Sequence, residues 1–240
     1  MNKFQIENHL SRLPINIQKF IMKQYFYLLK SNQTDAIKYK ETINNFKNKS
    51  CIFIHIPKTA GISLSKGLFG FNMDTNHLSI RRYRLVLSES DFNNFFKFTF
   101  VRNPWDKLFS CYRYLKMGGH SKYHMQWKNN VLDKYEDFNS FVEGWLTEKN
   151  IYTFSHFLPQ TWFLTDYKNN ILTDYIGRFE KLEHDYNEIC SILNIKSELE
   201  HFNKSDKIKK HYFDYYNNKS IDIVYKLYKK DIKLFKYDFK

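Results

Sequence analysis

A chain of 240 residues can bury a core within one α/β domain, and 42% hydrophobic with 19% aromatic residues excludes a disordered polyelectrolyte. The formal net charge of +13 points to an anionic partner, a condition met by nucleic acid, acidic membrane, acidic glycan and a multiply charged nucleotide. Cys51, Cys111 and Cys190 form no CxxC pair and no zinc spacing, which argues against a disulfide framework and reads all three as small core residues.

The opening MNKFQIENHLSRLP lacks the apolar run of a signal peptide, and no stretch reaches the length of a membrane span. The chain therefore reads as soluble and cytoplasmic. Apolar positions at mixed helical spacing (Phe20, Met22, Tyr25, Phe26, Leu29) make residues 1–50 an N-terminal helical extension packed on the main domain. A membrane-surface helix making peripheral contact is the alternative, because Lys19, Lys23 and Lys30 punctuate the stripe.

The main domain, residues 51–240, opens on CIFIHI, a short apolar run bounded by Pro57 that reads as a buried strand. KTAG and ISLSKGLFG follow as a turn and a helix that Gly70 ends. FKFTFV is a second buried strand, closing at Val101. In the next helix Asn103 is the N-cap, Pro104 takes the first helical position, and Gly118 and Gly119 mark the stop.

Further on, Phe138, Phe141, Val142 and Trp145 keep helical spacing, and ILTDYIGRF is strand-like. Leu182, Tyr186, Ile189 and Leu193 make a helical stripe, as do Ile221, Val224, Tyr225, Tyr228 and Ile232. Strands alternating with helices predict an α/β fold: a P-loop-like parallel sheet flanked by helices on both faces. Ligands of such sheets bind at the carboxyl ends of the strands.

Two motifs fall there. IHIPKTAGIS places Lys58, Thr59, Gly61 and Ser63 between a strand and a helix, where free N–H groups and the helix dipole favour an anion. The GxxxxGK[ST] pattern is absent, which disfavours an ordinary ATPase or GTPase loop. The bland alternative is a tight turn with a surface lysine. In FTFVRNPWDKLFSCYRYL, Arg102 closes a strand and Ser110 lies about two helical turns beyond Asn103, so a guanidinium and a hydroxyl can address one phosphate. The alternative there is that Arg102 caps a carbonyl and Ser110 packs.

Together these stretches resemble the carbohydrate sulfotransferase family of the heparan-sulfate 2-O, chondroitin/dermatan and HNK-1 enzymes and their bacterial relatives. HIPKTAGIS is similar to that family's 5′-phosphosulfate loop and FVRNPWDKLFSCYRYL to its 3′-phosphate segment. LPQTWFLTD, IGRFEKLEHDYNEICSILNI and HFNKSDKIKKHYFDYYN follow in the family's order, so the likeness covers residues 51 to 240. It implies a donor, 3′-phosphoadenosine 5′-phosphosulfate (PAPS), that leaves as the 3′,5′-bisphosphate PAP. It assigns Lys58, Thr59, Ala60, Gly61, Ile62 and Ser63 to the 5′-phosphosulfate and Arg102 and Ser110 to the 3′-phosphate. Arg178, Lys204 and Ser205 become late contributors to the donor pocket.

His77 stands where bacterial members carry a histidine between the two motifs. The pKa of histidine as a residue type suits the base that takes the acceptor's proton. The structural alternative is a turn histidine, and Glu180 or Asp185 could serve as base instead. His120 and His124 have an HxxxH spacing without the HExxH glutamate, and no metal is assigned. The acceptor is expected to be a glycan or polysaccharide precursor, anionic in character, held by loops within residues 71 to 96 and 117 to 165. Arg81, Arg82, Arg84, His120, Lys122, His124 and Trp127 lie there. A nucleotide kinase and a basic nucleic-acid-binding protein are the competing classes, although no RNP, zinc-finger or helix-turn-helix signature supports the latter.

Overall fold

The computed structural model describes residues 13–21, 33–73, 77–199 and 211–240. Three apolar runs make its sheet. β1 (Cys51–Ile54), β2 (Phe96–Val101) and β3 (Tyr175–Arg178) pair in that order, both pairings parallel, with Cys51 opposite Phe96 and Phe98 opposite Tyr175. All four β1 side chains are buried, as expected of a parallel strand. The third run pairs over less of its length than ILTDYIGRF suggests. Ile171 instead forms an isolated antiparallel bridge with Thr165. Gly177 lets β3 lie against its neighbour, because a Cβ there would stand 2.7 Å from the Phe100 ring.

The helices follow in chain order as α1 (Gln33–Lys49), α2 (Gly61–Phe69), α3 (Ile80–Val86), α4 (Glu89–Asn94), α5 (Pro104–Lys116) and α6 (Lys122–Asn130). Then come α7 (Phe138–Trp145), α8 (Gln160–Leu164), α9 (Leu182–Ile192), α10 (Asn218–Leu227) and α11 (Lys229–Phe235). This is the mixed α/β arrangement that the strand–helix alternation predicts, a parallel sheet flanked by helices.

The chain divides into two compact units. The first takes Met1–Ile56, Ala60–Val101 and Gln160–Phe202, and contains the sheet. In it Phe46 of α1 is fully buried, edge-on to Phe69 and Tyr83. Thr99 of β2 satisfies its buried hydroxyl by donating to the Ile54 carbonyl at 2.7 Å. Residues 15–21 are helical, but Phe20 is 63% exposed rather than part of a core. Met22, Tyr25, Phe26 and Leu29 lie outside the described residues.

The second unit takes Pro57–Thr59, Arg102–Pro159 and Asn203–Lys240, and has an aromatic core of its own. Phe141 stacks on Trp145, Trp127 meets Trp145 edge-on, and Phe157 packs against all three. Each fully buried ring contributes about 2–3 kcal/mol. The C-terminal stripe reaches this core as two helices, since α10 ends and α11 begins around Tyr228. Tyr228 donates its hydroxyl to the Phe157 carbonyl at 2.7 Å, while Tyr225 of the same predicted stripe is exposed. All three cysteines are buried and free of disulfides. Among the described residues no helix is long and apolar enough to cross a membrane.

Candidate active site

β1 ends at Ile54, and the chain then turns through His55–Ala60 into α2. Two non-glycine residues of that turn are left-handed, Lys58 with φ 68° and Ala60 with φ 63°. Such backbone costs about 1–3 kcal/mol per residue and gathers at ligand clamps. Ala60 is the N-cap of α2 and supplies no capping side chain, and the first turn holds no acid. The leading N–H groups of Gly61 and Ile62 therefore receive no capping bond from Ala60, at the positive end of a helix dipole. Thr59 and Ser63 are buried here and Ile62 is half-buried.

Gly61 has a structural reason beyond close approach of a ligand. A Cβ at this position would lie 1.8 Å from His55 Nε2, so the missing side chain makes room for the imidazole. The His55 ring stacks on Phe53 and meets His77 edge-on at 4.5 Å between centroids. His77 itself is left-handed, φ 47°. Its Nδ1 lies 3.0 Å from the His55 carbonyl oxygen. A carbonyl only accepts, so Nδ1 carries a proton, and in the neutral ring the lone pair is on Nε2.

In the second unit, Arg102 is the residue after β2 and Asn103 caps α5 by accepting from the Trp105 N–H at 3.1 Å. Pro104 sits at the first helical position, as the sequence predicts, and the helix ends at Lys116 with Met117 as C-cap, just before the predicted Gly118 and Gly119 stop. Arg102 makes a bidentate pair with Asp106, Nε to Oδ2 and Nη2 to Oδ1, both 2.8 Å. Its Nη1 also donates to the Lys58 carbonyl at 3.0 Å. The carbonyl-capping role is thus present, and Asp106 fixes the plane of the guanidinium. Ser110 lies half-buried one turn beyond Asp106 on the same helix face.

Lys58 is brought against this helix from both ends. Besides the carbonyl bond from Arg102, its Nζ lies 4.2 Å from the centroid of the Tyr114 ring. Burial pushes its pKa below the ordinary lysine range, and the Arg102 and Arg113 charges push the same way. Among the described residues no carboxylate pairs with the ammonium.

Other predicted residues have different surroundings. Arg178 ends β3, with its backbone N–H donating to Asp185 Oδ2 at 2.6 Å. Asp185 also accepts from the Tyr175 hydroxyl and bonds His184, so its carboxylate clamps β3. Arg81 is buried, donates to the Thr165 carbonyl at 2.7 Å and lies over the rings of Trp162 and Tyr167. Arg82 is buried as well, whereas Arg84 is exposed. Trp127 is partly buried and packs against the aromatic core. Lys204 and Ser205 lie outside the described residues.

Sequence reading passed over Asp106 and Tyr114. The signal was present in the spacing, since Arg102, Asp106, Ser110 and Tyr114 recur every fourth residue.

A family model described as "Sulfotransferase family" matches residues 41–238. An uncharacterized protein of Archaeoglobus fulgidus is 29% identical over 109 residues, covering 45% of this chain and 76% of that protein. No solved structure matches. With a match spanning both motifs and most of the chain, the protein belongs to the sulfotransferase family.

Proposed function

We propose that the chain takes the sulfuryl group of PAPS and delivers it to a hydroxyl of a carbohydrate, a glycan or polysaccharide precursor. The observation that carries this reading is Lys58. It is a cation with no carboxylate partner among the described residues, in a strained loop that opens an uncapped helix. Such a place suits a phosphoanion, and the family match makes the transferred group sulfuryl.

In this reading the 5′-phosphosulfate lies at Lys58, Thr59 and the first turn of α2, from Ala60 to Ser63. Arg102 and Ser110 address the 3′-phosphate, with Arg178, Lys204 and Ser205 contributing to the donor pocket. The acceptor oxygen attacks sulfur in line as the bond from sulfur to the 5′-phosphate oxygen breaks. The electron pair of that bond stays on PAP, where Lys58 and the α2 dipole stabilise it. His77 Nε2, which holds the lone pair in the neutral ring, takes the acceptor's proton. No step calls for a metal. The carbohydrate class rests on family likeness, the +13 charge, and the exposed His120 and Lys122 with half-buried His124 around α6.

Transfer of radiolabelled sulfate from PAPS to a panel of glycans, lipids and small alcohols tests the reading. Label on a glycan, with release of PAP, is the expected result; label confined to lipids or small alcohols overturns the carbohydrate assignment. Thermal shift adds a check on the donor: PAP should stabilise the chain more than ATP with Mg²⁺. The reverse order supports a kinase. Oligonucleotide binding with steep salt dependence and no PAP effect supports a nucleic-acid protein.

A further inference from the structure

A lysine ammonium is a compact charge on four rotatable bonds, so a loop that fixes the backbone does not by itself fix the charge. In this chain the two ends of Lys58 are held separately. The carbonyl takes the Nη1 bond from Arg102, and Nζ rests on the face of Tyr114, within the range of a cation–π contact.

The Tyr114 ring is itself immobilised. Its hydroxyl oxygen accepts from the His120 backbone N–H at 3.0 Å and the hydroxyl bonds His124 Nδ1 at 3.0 Å. Burial lowers the His124 pKa, with His120 and Lys58 adding to the effect, so the imidazole stays neutral and Nδ1 can accept the phenolic proton. Burial keeps the phenol protonated as well. His156 stacks parallel to the ring at 5.3 Å, and its own carbonyl accepts from Lys107 Nζ and Cys111 Sγ. Three imidazoles thus surround one phenol, yet among the described residues no cluster could hold a metal ion. What they accomplish is a fixed ring under a cation.

We propose that Tyr114 is a positioning residue: its ring face holds the Lys58 ammonium in the orientation that stabilises the departing 5′-phosphate. This rests on the role given to Lys58 above. The hydroxyl is secondary, since it orients the ring, whereas the π face acts on the lysine.

The full-length chain is prepared as wild type, Tyr114→Phe and Tyr114→Leu, and folding is checked by circular dichroism and thermal melting. Two measurements follow. The first is the chemical shift of the Lys58 ε-methylene protons, which needs no ligand; a ring beneath the ammonium moves them upfield. The expected result is an upfield shift in wild type and Tyr114→Phe and its loss in Tyr114→Leu. No upfield shift in wild type overturns the proposal.

The second is the kinetics of transfer from PAPS. Tyr114→Leu should lose about tenfold or more in kcat with KM for PAPS within about threefold, and Tyr114→Phe should recover most of the loss. A folded Tyr114→Leu with wild-type kcat overturns the proposal alone. So does Tyr114→Phe as impaired as Tyr114→Leu, because the hydroxyl would then be the operating group. If wild type shows the upfield shift but neither binds PAP nor transfers sulfate, the donor reading falls and takes the proposal with it.

Discussion

Two helices follow the carboxyl ends of neighbouring parallel strands, and they begin in opposite ways. α5 is closed by its own sequence: Asn103 caps it, Pro104 takes the position that needs no N–H, and Asp106 stands in the first turn. α2 is left open, with a left-handed alanine as N-cap, no capping side chain and no acid in its first turn. A helix start capped by its own side chain satisfies itself, whereas one without such a cap has N–H groups at the positive end of the dipole that suit an anion. Asp106 makes the contrast sharper. The carboxylate that completes α5 also grips Arg102, and Arg102 in turn holds the carbonyl of Lys58 in the open loop. The closed start thus fixes the Lys58 carbonyl.

If that division of labour holds, removing the cation at the open start should do the greatest damage. Lys58→Ala is expected to lower kcat by about 10²–10³, the usual cost of one preorganised group at a developing charge. Its melting temperature should stay close to wild type, because the ammonium has no carboxylate partner whose loss would leave a charge behind. Radiolabel transfer measures the first and calorimetry the second. Near-wild-type turnover would make α2 an ordinary helix start.

The depressed pKa of Lys58 gives a second handle. The working form is the ammonium, so activity is complete below the lowered pKa and is lost as pH rises through it. The alkaline limb of kcat should therefore fall below the ordinary lysine range. In Lys58→Arg the residual activity should lack that limb, because a guanidinium does not titrate there. A limb that survives in Lys58→Arg belongs to another group.

The brace should matter less than the cation. Asp106→Asn keeps the shape but breaks a partly buried bidentate pair, at a cost of about 1–3 kcal/mol in unfolding free energy. It also frees the guanidinium to rotate away from the Lys58 carbonyl. PAP affinity is expected to fall by about 3–10-fold in titration calorimetry, in keeping with the loss of one oriented contact. Unchanged affinity with lowered stability would make Asp106 a fold residue only.

What the sequence disclosed and what it hid divide along the same physical line. CIFIHI and FKFTFV read as strands because their apolar runs are local facts, and α5 could be bounded because Asn103, Pro104, Gly118 and Gly119 are local signals. Lys58 and Arg102 stood out by motif. Their partners did not, since which ring lies under an ammonium depends on a contact between residues 58 and 114. Arg81 read as a cation of the expected acceptor loops, and its burial against Trp162 and Tyr167 depends on packing that no local pattern announces. The C-terminal stripe read as one helix because its apolar period continues across the break around Tyr228.

The smallest effect should come from the closed start itself. Asn103 does two things: its oxygen accepts from the Trp105 N–H, and its amide donates to the Asp238 carbonyl at 2.7 Å. Asn103→Ala removes both and should cost about 1–2 kcal/mol in urea melts. Asn103→Asp keeps the cap and a charge favoured by the helix dipole but loses the donor, so it should recover about half of that loss. In either variant kcat and KM for PAPS per folded molecule should match wild type, because the cap is satisfied within the chain. A drop in PAP affinity beyond the drop in stability would mean that α5 also presents its start to the ligand, and the distinction between the two helices would fail.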